Sequence, residues 1–188
     1  NGAKFEIKEQ EAGQNGFTTK YTYDEETKEN IANTDVVKGT VFGGTQQSVE
    51  FTNAYHAKEI NLGTDNRFKV EKVFIGRDWR DTDQFTFVLR GIDSTVPMPS
   101  QETSSTITIS KDNLDPSNKY TSVFDDITYE APGSYRYIIY EKGDYEQGDE
   151  KPIPAVNYSD AIYRATVNVK DDGLGQLKID SVVIELMY

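Results

Sequence analysis

A two-residue alternation that carries a polar side chain on its apolar face constrains this chain more than any other feature. In FKVEKVF, Phe68, Val70, Lys72 and Phe74 fall on one face of a strand, and Lys69, Glu71 and Val73 on the other. In YRYIIYE, Tyr135, Tyr137, Ile139 and Glu141 share a face. In VEFTNAY, Val49, Phe51, Asn53 and Tyr55 do the same. Each segment is therefore expected to be a half-buried strand, and each aims one polar group the way its apolar neighbours point. A lone Lys, Glu or Asn is costly to bury unless it is paired. A lysine amine, a carboxyl and an asparagine amide are also the reactants of an amide cross-link.

Further strand-like stretches recur at Lys4–Glu9, Phe17–Asp24, Gln84–Leu89, Thr106–Ser110, Ser122–Tyr129, Ala161–Lys170 and Gln176–Tyr188. Turn residues such as Asn15-Gly16, Gly43-Gly44, Pro132-Gly133 and Asp171-Asp172-Gly173 separate them. No segment holds a 3.6-residue period over three turns, and Asp24–Asn33 is helix-tolerant but polar all round. The expectation is an all-β chain of short strands in sandwiches. A weak internal echo, Ala3–Glu11 against Tyr135–Lys142, divides it. The rear part of one domain is expected at residues 1–55, a polar linker at 56–66, and a second domain at 67–188.

Charge and composition exclude several functions. With 20 Lys and Arg against 32 Asp and Glu, the net charge is −12, and no basic stripe offers nucleic acid a footing. There is no cysteine, so neither disulfides nor thiolate metal sites can form. No apolar run approaches the ~18 residues of a membrane span. Asn1-Gly2 reads as the interior of a longer polypeptide rather than a natural start.

The stretch Asp125–Glu141, DDITYEAPGSYRYIIYE, resembles the isopeptide-linked pilin domains of Gram-positive surface proteins, the Spy-type and Cna-B-like repeats. Phe51–Tyr55, FTNAY, resembles the closing strand of such a domain. The resemblance implies tandem immunoglobulin-like (Cna-B-like) β-sandwiches in a structural protein of the cell wall or fimbrium, a pilus backbone subunit or an adhesin stalk. Its partners would be neighbouring domains or pilin subunits. The alternative is an adhesin domain that binds a host surface ligand. No cofactor or metal is implied.

Carried over residue by residue, the resemblance makes Lys72 the nucleophilic lysine and Glu141 the promoting acid of the second domain. It makes Glu9 the acid and Asn53 the acceptor of the first. Lys69 is the other lysine in reach, but its phase faces outward. Burial disfavours the charged forms of both lysine and carboxyl. A neutral acid can then polarise the asparagine carbonyl and shuttle a proton as the amine displaces ammonia. Such a reaction turns over once, so the protein is not expected to be an enzyme. The first domain lacks a lysine strand and the second lacks a closing asparagine strand. Three arrangements account for that: a window cut from a tandem array at both ends, flanking residues beyond this sequence, or an Asn53 strand that closes a Lys72 domain, permuted in cis or donated to a neighbouring molecule.

Other features have plainer readings. The acidic loop Gly143–Glu150 lacks the ligand spacing of a calcium loop. Asp78, Asp81 and Asp83 fit a polar turn, and the lone His56 cannot build a metal site or triad. Trp79 is either an exposed contact residue or the cap of a sandwich core.

Overall fold

The computed structural model of the protein describes residues 2–44, 46–143, 153 and 155–188. Over these residues the chain is an all-β sandwich protein, with a 3-10 turn at Lys111–Asn113 among its connections. It forms two compact units, Asn1–Lys58 with Asp171–Leu177, and Glu59–Lys170 with Lys178–Tyr188.

In unit 1, β1 (Ala3–Ile7) pairs antiparallel with β4 (Val37–Val41). The ring of Phe5 lies across Gly39, where a Cβ would sit 2.4 Å from it. β2 (Phe17–Tyr23) runs between β3 (Glu26–Lys28) and β5 (Val49–Tyr55) in a three-stranded sheet. Asp24 and Glu25 join β2 to β3 with φ of 52° and 65°. Two left-handed residues in a two-residue loop give the type I′ twist that suits a hairpin. Residues 24–33, helix-tolerant in composition but polar all round, thus open with a hairpin turn and β3, and the turn carries no glycine to announce it.

The turn Asp171–Leu177 also belongs to unit 1. The Tyr55 hydroxyl donates to Asp171 Oδ1 at 2.6 Å and accepts the Gly175 N–H at 3.1 Å. Lys58 exchanges backbone bonds with Gly175 and Leu177. The sequence reading had no means of assigning a turn near the C-terminus to the first unit, because only long-range pairing places it there.

Unit 2 contains β6 (Ile60–Asn61), β7 (Lys69–Lys72), β8 (Gln84–Gly91), β9 (Ser104–Ser110), β10 (Tyr120–Val123), β11 (Thr128–Tyr129), β12 (Gly133–Glu141), β13 (Ile162–Asp171) and β14 (Leu177–Leu186), the last two reaching residues of the unit 1 turn. A five-stranded sheet has the order β14-β13-β12-β8-β9, and β7 pairs with β10. Residues 56–66 are not an unpaired linker. β6 pairs with β11, Leu62 is buried, and the Leu62 N–H donates to the Ile127 carbonyl. A two-residue strand shows no alternation, so it escaped the pattern.

The core of unit 2 gathers Phe68, Phe85, Leu89, Ile109, Phe124, Tyr129, Tyr137 and Val167. Tyr135 donates to the Ala131 carbonyl at 2.8 Å at the entry to β12, the hydroxyl-to-backbone corner familiar from immunoglobulin-like sandwiches. Trp79 caps the core: it stacks on Tyr120 at 4.2 Å and meets Phe74 and Phe85 edge-on. Its loop is tied by a bidentate bond from Arg77 to buried Asp83, which also accepts the Arg80 N–H. Residues 144–150 of the acidic loop lie outside the described residues. Among the described residues, no cluster of three metal-binding side chains occurs.

Candidate cross-linking sites

The alternation in β7 turns Lys72 inward and leaves Lys69 outside, where it meets Asp115 at 3.5 Å. Glu141 is the last residue of β12, opposite Phe87 of β8. Lys72 Nζ donates to Glu141 Oε1 at 2.6 Å, and the two side chains are 10% and 1% exposed. The second oxygen, Oε2, accepts the Ser159 N–H at 2.7 Å. The ammonium lies 4.3 Å from the centroid of the Phe85 ring. Both charges are therefore compensated: each carboxylate oxygen has a donor, and the cation has a carboxylate and an aromatic face.

The segment beyond β12 fixes this arrangement. Gly143 takes φ of 130°, and a Cβ there would meet the ring of buried Tyr158 at 3.0 Å. Tyr158 in turn packs on Phe85 and precedes Ser159. The chain thus returns under Glu141 and presents a backbone donor to it.

A cleft of about 430 Å³ opens beside the pair. Lys69–Val73 of the β7 side, Glu141, Ser159, Tyr163 and Ile184 line it. β7 pairs with β10 alone among the described strands, and β14, which carries Ile184, ends its sheet. Val73 and Ile184 leave apolar surface uncovered there, at 70% and 51% exposure. Among the described residues no asparagine lines this cleft. The geometry brings an amine and an acid together beside a slot bordered by unpaired backbone, which is what an added strand needs.

Unit 1 brings together the complementary groups. Asn53 in β5 lies opposite Thr19 in β2, and Glu9 follows the end of β1. Asn53 Nδ2 donates to Glu9 Oε1 at 2.6 Å, and Thr19 Oγ1 donates to Asn53 Oδ1 at 2.6 Å. The Gly13 N–H donates to Thr19 Oγ1 at 3.2 Å. Glu9 Oε2 is buried and has no hydrogen-bond partner. Two details differ from the sequence reading. Asn53 is exposed, because the face that buries Phe51 in part runs out to solvent over Asn53–Tyr55. The strand containing Lys4 ends at Ile7, so Glu9 is held by a loop.

Three contributors escaped the sequence reading: Thr19, Phe85 and the Ser159 N–H. Thr19 shares the face of Tyr21 and Tyr23, a signal that becomes readable once the pairing of β2 with β5 is known. Ser159 acts through its backbone, for which no side-chain pattern exists.

The family model for FctA, the Spy0128-like isopeptide containing domain, matches residues 68–185. The match takes in Lys72, Glu141 and the cleft, while Glu9, Thr19 and Asn53 lie before it. No curated protein sequence matches the chain. With more than half of its length matched, the chain belongs to the FctA family of Spy0128-like isopeptide-containing domains.

Proposed function

We propose that this chain is a load-bearing segment of a Gram-positive surface protein, a pilus backbone subunit or adhesin stalk, whose β-sandwiches are closed by Lys–Asn amide bonds. The observation that carries this reading is the buried Lys72–Glu141 pair, 2.6 Å apart, beside a cleft bordered by β7 and β14. An incoming strand pairs with the free edge of β7 or β14 and places an asparagine amide against the pair. Proton transfer from Lys72 Nζ to Glu141 Oε1 leaves a neutral amine and a carboxylic acid. The amine attacks the asparagine Cγ while the acid hydrogen-bonds the developing oxyanion; the acid then gives its proton to the departing nitrogen, and the carboxylate takes up the proton that the attacking nitrogen sheds. Ammonia leaves, and an amide joins Lys72 to the strand. Folding supplies the proximity, and the reaction happens once.

The product joins β7 to the closing strand of the sandwich, so tension along the chain is borne by a covalent bond. By analogy with a disulfide, the closed loop also restricts the unfolded chain by roughly 3–5 kcal/mol. The partner is a neighbouring domain's strand or that of another subunit. Intact mass under denaturing conditions tests the proposal, using protein made at the full length of its gene. Wild type should fall short of its sequence mass by one ammonia per bond, and Glu141→Ala should regain the ammonia assigned to Lys72. A wild-type mass equal to the plain sequence would contradict it.

A further inference from the structure

Asn53 is held by two groups of opposite character. Its amide nitrogen donates to Glu9, which orients the carbonyl oxygen toward Thr19. The Thr19 hydroxyl accepts the Gly13 N–H, so its single proton is left for Asn53 Oδ1, 2.6 Å away. Thr19 is 1% exposed, whereas Asn53 is open to solvent. A donor fixed in a buried place and aimed at a carbonyl oxygen is the arrangement that stabilises an oxyanion. On the other side of the amide, Glu9 keeps one buried oxygen without a partner. Carbonyl polarisation and a leaving nitrogen hydrogen-bonded to a carboxyl, on a side chain open to solvent, together define an acyl-transfer site.

We propose that Thr19 is a catalytic group of this site, polarising the Asn53 carbonyl as Asn53 accepts a primary amine. The proposal rests on the amide-forming reading, in which Glu9 is the acid and Asn53 the acceptor, and adds to it a residue outside the matched region. The amine nitrogen bonds to Asn53 Cγ from the exposed side. The oxygen takes up negative charge against the Thr19 hydroxyl, and Glu9 receives the amine's proton. That proton passes to Nδ2, the Cγ–Nδ2 bond breaks, and ammonia departs. One C–N bond forms, one breaks, and nothing is oxidised or reduced. The natural amine is a lysine side chain presented on a strand.

Methylamine is the probe, because the site needs nothing of the amine beyond its nitrogen. The chain is incubated with methylamine, and peptide mapping follows conversion of Asn53 to its methylamide. Wild type and Thr19→Ser should react at similar rates. Thr19→Val, which keeps the shape, and Thr19→Ala should slow by roughly 10²-fold, as loss of one oxyanion donor does. Glu9→Gln should be slow as well. Melting curves of the variants establish that unit 1 remains folded, and agreement between Val and Ala guards against a packing effect of either. If Thr19→Val and Thr19→Ala keep the wild-type rate while Glu9→Gln is slow, the role of Thr19 is overturned and amide transfer stands. If wild type takes up no methylamine at Asn53, the site in unit 1 is overturned, and the Lys72–Glu141 reading is judged separately by its own mass test.

Discussion

Removal of the Glu141 carboxyl tests how deeply the Lys72 site is built into the sandwich. In Glu141→Ala the ammonium of Lys72 loses a carboxylate 2.6 Å away, and the Ser159 N–H loses its acceptor. Glu141 is 1% exposed and Lys72 10%, so water replaces neither partner without movement. Breaking one side of a buried ion pair costs roughly 3–5 kcal/mol. An orphaned backbone donor adds about 1 kcal/mol. Lys72 borders the cleft and regains part of its hydration by turning toward it, which offsets some of this. A net loss of about 3–4 kcal/mol is expected, measured on chain that has formed no amide. Urea unfolding followed by Trp79 fluorescence reports it, since the chain has one tryptophan and it packs in the core of unit 2. With m of about 2 kcal/mol per molar, the midpoint should fall by roughly 1.5–2 M. The double variant Lys72→Met with Glu141→Leu removes both charges and should return to within about 1 kcal/mol of wild type. A single variant less than about 1 kcal/mol below wild type would mean that water already serves both groups and that the pair is not a buried one.

Other expectations follow from the same geometry. The Arg77 guanidinium holds the Asp83 carboxyl down at about 2, from an ordinary 3.8. Its stabilising contribution is therefore complete above the ordinary value and lost as pH falls through the depressed one, so the stability gap between wild type and Asp83→Asn should close between about pH 4 and pH 2 in acid titrations of unfolding. Burial pushes the Tyr129 phenol from 10.0 up to about 12. Stability should fall as pH rises across that interval, with phenolate absorbance for this residue appearing only on unfolding. Gly143→Ala places a Cβ 3.0 Å from the Tyr158 ring at φ of 130°, and should cost about 1–3 kcal/mol in denaturant titrations while slowing amide formation at Lys72. Ser159→Pro removes the donor to Glu141 Oε2 and should slow amide formation, whereas Ser159→Ala, which keeps the N–H, should not.

Much of the fold was legible because strand alternation survives wherever one face is buried. Phe68, Tyr137 and Ile139 are buried, and Lys72 and Glu141 share their faces, as the period of two requires. What escaped lacked that signature. β3 follows a glycine-free turn, β6 spans two residues, and the turn at 171–177 joins unit 1 through backbone bonds to Lys58. The inward phase of Lys72 and Glu141 could be read from the alternation. The groups that hold them could not, since Thr19 acts through a cross-strand register and Ser159 through its backbone. The exposure of Asn53 shows the limit of alternation: it gives the side of a sheet a residue is on, and the neighbouring elements decide whether that side is covered.

The most direct test of the central claim is a peptide map of protein made at the full length of its gene, read by tandem mass spectrometry for the peptide containing Lys72. A branched peptide in which Lys72 Nζ is joined to an asparagine side chain with loss of ammonia is expected, absent from Glu141→Ala. Recovery of Lys72 only in a linear peptide, cleaved after it by trypsin as a free lysine is, would mean that no amide forms at Lys72.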